Sequence, residues 1–444
     1  MHTELAHGAP LSDDALLELQ RATFDYFLHE TNPANGLVKD NTRKDAHASI
    51  TAVGLALACF PVGVERGYID RAEAVERVLT TLRFFRESEQ SESPDATGHR
   101  GFYYHFLHMD SGRRAWKSEL STIDTTFLIA GALLAAQYFD GDDTGETEIR
   151  TLADALYRRV EWDWALDAAG SERPSPAVSH GWTPENEFLR YRWTGYSEAL
   201  LLYVLALGSP THQIPEASYA AWLESYDWRT LYDIEHLYAG PLFIHQLSHV
   251  WIDFRGLQDD FVRAQGIDYF ENSRRATYVQ REYAIRNPRG FRGYGENAWG
   301  VTASDGPGPA EHVVDGEDRR FWPYRARGVP FGPDDGTLSP WAVVASLPFA
   351  PEIVLPALGY VHEHHPEITS TYGFKCSFNP TFPGEETSEG GWISQGYYGL
   401  DQGPIVLMIE NYLSGQPWRL MRGCAPLVRG LRGAGFGGGW LEGA

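Results

Sequence analysis

Six segments of this 444-residue chain are apolar on nearly every side, and they alternate with segments that carry a single apolar stripe. The apolar segments lie at residues 48–60, 121–138, 194–207, 241–252, 340–347 and 404–413. The amphipathic segments lie at residues 12–29, 70–89, 146–160, 215–226, 268–286, 351–364 and 417–430. A helix that is apolar all round must be enclosed by protein, whereas a helix with one apolar stripe can cover it. The alternation therefore predicts an all-α fold, a single (α/α)6 toroid barrel.

The connections between these segments differ in length with their direction. Those that lead into an apolar segment are mostly long, at residues 30–47, 90–120, 161–193, 287–339 and 365–403. In an alternating barrel all inner helices run the same way, so long loops of this kind gather at one end. Long loops in a compact domain are usually functional, and we expect the working face there. Residues 101–118 predict a small β-hairpin at this face.

Composition limits the classes of partner. Subtracting 60 acidic from 37 basic residues gives a net charge of −23, with the acids scattered along the chain, so nucleic acid and anionic membranes are poor partners. Three widely spaced cysteines fit neither a disulfide framework nor a zinc site. The start of the chain lacks a basic segment followed by an apolar one. We expect one catalytic domain over residues 1–444, with its core at about 12–430, that is cytoplasmic, or periplasmic if a leader has been removed.

Three acidic residues stand where apolar segments begin. They are Asp124 in ELSTIDTT, Glu198 in GYSEALLL and Asp401 in GLDQGP. Proline is favoured at the first residue of a helix, so Pro404 predicts that the last of these helices begins there. Capping can explain an acid at a helix start, but Glu198 is expected one turn inside its helix, too deep for a cap. Glycosidic cleavage requires a buried carboxylic acid that faces a second, ionised carboxylate. The joint pattern favours catalysis over three separate structural acids.

The surroundings of these acids predict different roles for them. Apolar neighbours should raise the pKa of Glu198 and make it the general acid. Asp401 should stay ionised beside helix N–H groups and act as general base, with Asp124 as the alternative base or as a ligand for sugar hydroxyls. Glu119 stands at the same helix entrance as Asp124, and we expect it to bind substrate.

Aromatic residues are concentrated in the long connections. Eight of the 14 tryptophans lie there, namely Trp116, Trp162, Trp164, Trp182, Trp193, Trp299, Trp322 and Trp392. Aromatic faces suit the C–H faces of sugars, although tryptophan also packs loops onto a core. We expect Arg292, Trp299 and Asp305 to line the cleft together with Trp193 and Tyr398, because they mix aromatic faces with hydrogen-bonding groups on the predicted rim.

A metal site is the competing chemistry. His245 and His249 in HQLSH have the spacing of a zinc-binding helix, but Gln246 stands where a metalloprotease has its glutamate, and no third ligand is evident. We expect both histidines to be hydrogen-bonded inside the barrel. His99, His105 and His108 read as loop residues with a small chance of touching substrate.

Several motifs in the same order resemble a known family. ELSTIDTTFLIAG, YSEALLLYVLALGSPTH, GPLFIHQLSHVWIDFRG, NPRGFRGYGENAWGVTASDGP, DGTLSPWAVVASLPFAPE and WISQGYYGLDQGPIVLMIENYLSG are similar to the glucoamylase-like family, which includes glycoside hydrolase family 144 and a domain of cyclic β-1,2-glucan synthases. The resemblance runs from about residue 12 to residue 430. It implies an (α/α)6 barrel with no metal or organic cofactor. The family's acidic positions fall on Asp124, where relatives often carry Glu, and on Glu198 and Asp401.

The resemblance also implies an activity. The expected protein is a glycoside hydrolase that cleaves β-1,2-glucan or its oligosaccharides with inversion, either internally or with release of sophorose or glucose. The alternatives are a transglycosylase or a hydrolase of another β-glucan, a sugar epimerase or lyase, and a silent glycan-binding domain. An epimerase or lyase would need His or Tyr as acid and base in the pocket. A silent domain would use the three carboxylates for structure alone.

Overall fold

The computed structural model describes residues 10–166, 175–386 and 390–443, and its fold is helix-rich. The ends of the predicted 1–444 domain, residues 1–9 and 444, lie outside the described residues. The described α-helices are, in chain order, α1 (Asp13–His29), α2 (Ile50–Glu65), α3 (Arg71–Glu87), α4 (Thr122–Tyr138), α5 (Thr144–Arg159), α6 (Leu200–Leu207), α7 (Glu216–Leu223), α8 (Asp260–Ala264), α9 (Tyr269–Arg286), α10 (Pro340–Ala345), α11 (Pro351–His364), α12 (Gly399–Leu413), α13 (Gln416–Arg422) and α14 (Ala425–Gly433).

The predicted difference between enclosed and covering helices is confirmed. Helix α4 buries every residue except Gln137, and α6 and α10 are buried over their whole length. Helix α5 instead buries Ile149, Ala153, Leu156 and Tyr157 along one stripe. Apolar side chains all round therefore mark the helices at the centre, and a stripe marks those outside them.

The enclosed helices pack against one another in sequence. Helix α2 lies between α4 and α12, α4 also contacts α6, and α10 contacts α12. Glycines permit the tightest of these contacts, because a Cβ at Gly54 or Gly131 would collide with the backbone of the other helix. The backbones of α2 and α4 thus approach more closely than two ordinary helices.

Three predictions about the inner segments are wrong, one in the type of helix and two in where a helix begins. Residues 241–252 form two 3-10 turns, Leu242–His245 and Leu247–Val250, because apolar periodicity alone does not separate this geometry from an α-helix. Helix α6 begins at Leu200, so Glu198 lies in the turn before it. Helix α12 begins at Gly399, which places Pro404 inside the helix and Asp401 in its first turn.

Short strands tie the connections together. They are β1 (Ala48–Ser49), β2 (Gly98–His99), β3 (Phe102–Tyr104), β4 (Phe106–Leu107), β5 (Leu120–Ser121), β6 (Gly181–Thr183), β7 (Glu187–Phe188), β8 (Trp228–Leu231), β9 (Ile234–Leu237), β10 (Ala303–Ser304), β11 (Ala310–Val314), β12 (Glu317–Phe321), β13 (Arg325–Ala326), β14 (Thr369–Ser370), β15 (Gly373–Phe374), β16 (Phe378–Asn379) and β17 (Trp392–Ile393). The largest sheet has the antiparallel order β2-β3-β5-β6-β7, and the other strands form pairs.

The small sheets correct the expectation of a single hairpin. In residues 101–118 only an isolated bridge between Leu107 and Arg114 has the predicted hairpin pairing. Strand β4 pairs with β1, so that Ser49 lies opposite Phe106, and β3 pairs with β5. These pairings join distant connections, which local sequence does not reveal. Among the described residues, no helix is long and apolar enough to cross a membrane.

Candidate active site

A cavity of about 450 Å³ opens where the enclosed segments begin. Its lining comes from the long connections and from the first turns of α2, α4, α10 and α12, as the loop lengths predicted. The carboxyl, amide, guanidinium and imidazole side chains in its wall are those of Asp40, Asn41, Arg43, His105, Asp124 and Glu198, and the hydroxyl groups are those of Ser49, Thr51, Tyr324 and Tyr398. A larger depression of about 690 Å³ lies beside β11 and β12, but none of the three predicted catalytic acids lines it.

Asp124 is fixed by the start of its helix. Ser121 is the N-cap of α4, and its hydroxyl accepts a hydrogen bond from the backbone N–H of Asp124 at 3.1 Å. The Asp124 carboxylate accepts hydrogen bonds from the hydroxyl of Ser121 and, at 2.5 Å, from that of Thr51 on α2. Two helices therefore hold one carboxylate at the cavity wall.

Glu198 lies in the turn before α6 and lines the same cavity. The Ser248 hydroxyl donates a hydrogen bond to the backbone carbonyl of Glu198 at 3.0 Å, which fixes this turn. Burial raises the pKa of the Glu198 carboxyl to about 7, with a smaller contribution from the charge of Asp124. The predicted rise is thus present, although Glu198 stands before its helix rather than inside it.

His105 lines the cavity, although its sequence context predicted only a loop residue. Its Nδ1 lies 3.0 Å from Glu119 Oε1, and its Nε2 lies 3.6 Å from Asp124 Oδ1. Burial lowers the pKa of His105, but the charge of Asp124 and the contact with Glu119 outweigh it and raise the pKa to about 9. The same contact lowers the pKa of Glu119 against the effect of burial. Glu119 does not line the cavity, and it affects the cavity only through its contact with His105.

The same three side chains could also hold a metal ion. One ligand atom each from His105, Glu119 and Asp124 lies within 4.8 Å of the others. With the imidazole protonated, the set instead makes two charge-assisted contacts with carboxylates. A cation would have to displace the His105 proton, because a metal ligand must be a neutral imidazole.

Asp401 lies in the first turn of α12 and is only 1% exposed. Apart from the Cys376 thiol, no described residue offers a hydrogen bond to either of its carboxylate oxygens. Burial raises the pKa of Asp401 well above its ordinary value, which opposes the predicted ionised state. Desolvation outweighs the favourable position at a helix start.

Asp40 is a fourth acid, and it was not predicted from the sequence. It lines the cavity, and Asn41 Nδ2 donates to its Oδ2 at 2.8 Å. Burial raises the pKa of Asp40 despite that hydrogen bond. Its position in the long connection at residues 30–47 was the available signal.

The mouth of the cavity combines an ion pair with two tyrosines. Arg43 and Tyr398 line the cavity, and Arg43 is paired with Asp305 at 3.0 Å behind them. Ser394 Oγ donates to the same Asp305 carboxylate at 2.9 Å. The ring of Tyr324 lies 5.7 Å from that of Tyr398. The structure thus places Tyr398 in the wall as predicted and Asp305 one residue behind it.

Three other predicted binding residues do not line the cavity. Trp299 is 2% exposed, so its face is covered by protein. Trp193 is buried, stacks on His180 at 3.7 Å and donates from Nε1 to Thr122 Oγ1 at 3.0 Å. Arg292 is paired with Asp315 on the surface. Trp193 and Trp299 therefore pack the long connections onto the core and do not present a face to sugar.

His245 and His249 are buried and hydrogen-bonded, as predicted. His245 Nε2 lies 3.2 Å from the Ala239 carbonyl, and His249 Nε2 lies 2.9 Å from Ser273 Oγ. Burial lowers the pKa of each imidazole to about 3. Neither residue lines the cavity, and this position disfavours both as the acid or base of an epimerase or lyase there.

A carboxyl that holds its proton to about pH 7 and a second carboxyl thus face one cavity of a helix-rich fold. This combination, on a helix-rich fold, has the features that acid–base cleavage of a glycosidic bond requires. The chain belongs to the glucoamylase-like family, since the family described as "Putative glucoamylase" matches its residues 190–425.

Similar proteins cover nearly the whole chain. A "putative glucoamylase" of Bacteroides uniformis has a crystal structure with a TM-score of 0.83 and 31% identity, over 97% of this chain and 99% of that one. An endo-β-1,2-glucanase of Chitinophaga pinensis, solved with sophorotriose and glucose, has a TM-score of 0.80 and 28% identity, over 96% and 99%.

A curated relative has a more specific description. It is an exo-β-1,2-glucooligosaccharide sophorohydrolase of Parabacteroides distasonis that acts at the non-reducing end, and it is 29% identical over 95% of this chain. The chain spans 58% of the length of that relative.

Proposed function

We propose that this protein is a glycoside hydrolase that cleaves β-1,2-linked glucan or its oligosaccharides. The observation that carries the proposal is the pair formed by Glu198, whose pKa is raised to about 7, and Asp124 in one cavity. The relatives described as β-1,2-glucan-degrading enzymes support the linkage.

Glu198 is the general acid in this proposal. A carboxyl with a pKa near 7 is still largely protonated at neutral pH and can give its proton to the departing glycosidic oxygen. The surrounding apolar wall, which includes Phe127, Phe243 and Leu247, disfavours the charged form and maintains that state.

Two carboxyls are available for the second role. Asp124 faces the cavity and makes the contacts of a carboxylate, namely two hydroxyl hydrogen bonds and the nearby His105 cation. Asp401 is a buried carboxyl whose oxygens lack partners among the described residues apart from the Cys376 thiol. A buried polar group without partners destabilises the fold, and a catalytic role is one reason for a protein to retain it. We assign the base first to Asp124, which reverses the order predicted from the sequence. Asp401 is kept as the alternative, although it lies behind the lining residues Tyr398 and Leu400 and does not itself line the cavity. We expect the reaction to invert configuration, with water between base and sugar.

We further infer that the six inner segments close into an (α/α)6 toroid. Contacts support each step around the ring, from α2 to α4, α4 to α6, and α10 through α12 back to α2. Across the fourth segment, the Leu201 N–H donates to Ser248 Oγ at 3.2 Å, and the first 3-10 turn contacts α10. The cavity then lies at the N-terminal end of the ring.

Digests of linear β-1,2-glucan, β-1,3-glucan and β-1,4-glucan, separated by thin-layer chromatography, test the activity. We expect products from the β-1,2-glucan alone, and a single small product or a ladder would distinguish exo from endo cleavage. The Glu198→Gln variant serves as the inactive control. Equal cleavage of the other linkages, or no product from any glucan, would refute the proposed function.

A further inference from the structure

Trp116 is exposed to solvent beside the cavity. It is 67% exposed, whereas the other 13 tryptophans of the chain, all within the described ranges, are buried or half-buried. Its backbone has a φ of +54°, in the left-handed region that is unfavourable for a bulky side chain. Such a conformation persists only where the surrounding structure imposes it, and it is common at ligand sites. An exposed side chain on a strained backbone adds nothing to the hydrophobic core, so core packing does not explain the position of this indole.

Aromatic contacts connect Trp116 to the catalytic carboxyls. Its ring lies 5.1 Å from that of Phe106, which lines the cavity, and the Ala115 N–H donates to the Phe106 carbonyl at 2.9 Å. Phe106 in turn stacks on His105 at 3.9 Å with an angle of 14° between the rings. His105 lies beside Asp124. One unbroken row of rings therefore leads from the exposed rim to the proposed site of cleavage.

A second connection contributes to the same surface. The His47 ring lies 4.4 Å from Trp116 and 4.7 Å from His108, and His47 ends the loop that also supplies Asp40 and Arg43 to the cavity. Burial and the neighbouring His108 lower the pKa of His47, so its imidazole is neutral at neutral pH. A neutral aromatic surface suits an uncharged sugar face and offers no cation for a phosphate or carboxylate.

We propose that Trp116, Phe106 and His47 form an accessory binding site for glucosyl units of a long glucan chain that extends out of the cavity. This inference rests on the proposed function and adds a preference for chain length to it. A cavity of about 450 Å³ encloses a small oligosaccharide, so the remainder of a polymer must pass over the rim. The row of rings continues the cavity wall at this point and is the surface over which it would pass.

The test compares kcat/KM on linear β-1,2-glucan with kcat/KM on β-1,2-glucotriose for the wild type and for Trp116→Ala. We expect the ratio of polymer to trimer to fall roughly 2- to 13-fold in Trp116→Ala, the equivalent of one lost aromatic contact, and to be partly retained in Trp116→Phe. Phe331→Ala is the matched control, because Phe331 is 62% exposed and packs on Arg229 and Tyr238, outside the cavity wall. It should keep the wild-type ratio.

The outcomes separate the two proposals. A wild type that cleaves neither substrate would refute the proposed function itself. A wild type that cleaves both, with an unchanged ratio in Trp116→Ala, would overturn the accessory site alone. Titration calorimetry in a Glu198→Gln background gives an independent reading, since Trp116→Ala should weaken binding of the polymer more than that of the trimer. Equal weakening for both ligands would also overturn the accessory site.

Discussion

Nε2 of His105 lies 3.6 Å from Oδ1 of Asp124, and Nδ1 of the same ring is hydrogen-bonded to Glu119. The imidazole is therefore a cation between two carboxylates, and it brings positive charge to a wall that otherwise contains Asp40, Asp124 and Glu198. Without it, three acids would share one cavity with only Arg43 opposing them. His105 thereby supplies a positive charge beside Asp124, while burial raises the pKa of the neighbouring Glu198 to about 7.

Replacing Glu198 by Gln should lower turnover by a factor on the order of 10² to 10⁴, the usual range for a general acid, without loss of the fold. In the wild type, kcat/KM should decline as the pH rises through about 7, because the acid loses its proton there. Release of reducing sugar between pH 5 and 9 measures both effects. Activity that is fully retained to pH 9 would argue against Glu198 as the proton donor.

Stability should depend on the protonation of His105. Its pKa is raised from 6.5 to about 9 on folding, so its contribution is fully present below pH 6.5 and is lost as the pH rises through about 9. The difference in Tm between the wild type and His105→Gln should thus be greatest at pH 6 and shrink by pH 10. His99→Gln is the comparison, since burial lowers the pKa of His99. A difference in Tm that does not vary with pH would show that His105 is uncharged.

Amide variants distinguish the two candidate bases. If Asp124 activates water, Asp124→Asn should lower kcat by a factor on the order of 10² to 10⁴ with a smaller change in KM. Asp401→Asn should leave Tm at pH 8 unchanged or raise it by about 1–2 °C. Burial raises the pKa of Asp401, so the carboxyl destabilises the folded state at pH values above its ordinary pKa, and the amide removes this effect. Kinetics and thermal melts on both variants give the answer. A larger loss of kcat in Asp401→Asn than in Asp124→Asn would assign the base to Asp401.

Replacing Trp299 by Ala should act on stability rather than on substrate binding. The indole is almost fully buried, and truncating a buried tryptophan costs about 3–5 kcal/mol of the free energy of unfolding. Urea denaturation of Trp299→Ala beside Trp116→Ala measures the contrast, since the exposed Trp116 should change stability little. A stable Trp299→Ala variant with a raised KM would restore the prediction made from the sequence.

The sequence predicted five of the six inner segments as helices and two of the acids that meet in the cavity. Apolar residues on every side of α4 and α6 reflect enclosure, which is a local property of the sequence, and Asp124 and Glu198 follow from where those segments begin. The exact start of α6 and of α12 did not follow, because turn geometry before a helix depends on contacts such as that between Ser248 and Glu198.

His105 and Asp40 were beyond local reasoning. His105 reaches Asp124 because β3 pairs with β5, so that Tyr104 lies opposite Leu120 and the His105 N–H donates to the Glu119 carbonyl at 2.9 Å. Strand pairing of this kind does not follow from local sequence. The burial of Trp299 is equally non-local, since a loop tryptophan that covers the core and one that binds sugar have the same sequence context.

The close approach of α2 and α4 has a consequence for the chemistry. Thr51 and Asp124 belong to these two helices, and Gly54 and Gly131 lie about one turn and two turns further along them. The distance between Thr51 and Asp124 is therefore set by two positions that have no side chain. A single methyl group there, remote from any sugar, would act as a wedge between the helices and draw the hydroxyl away from the carboxylate.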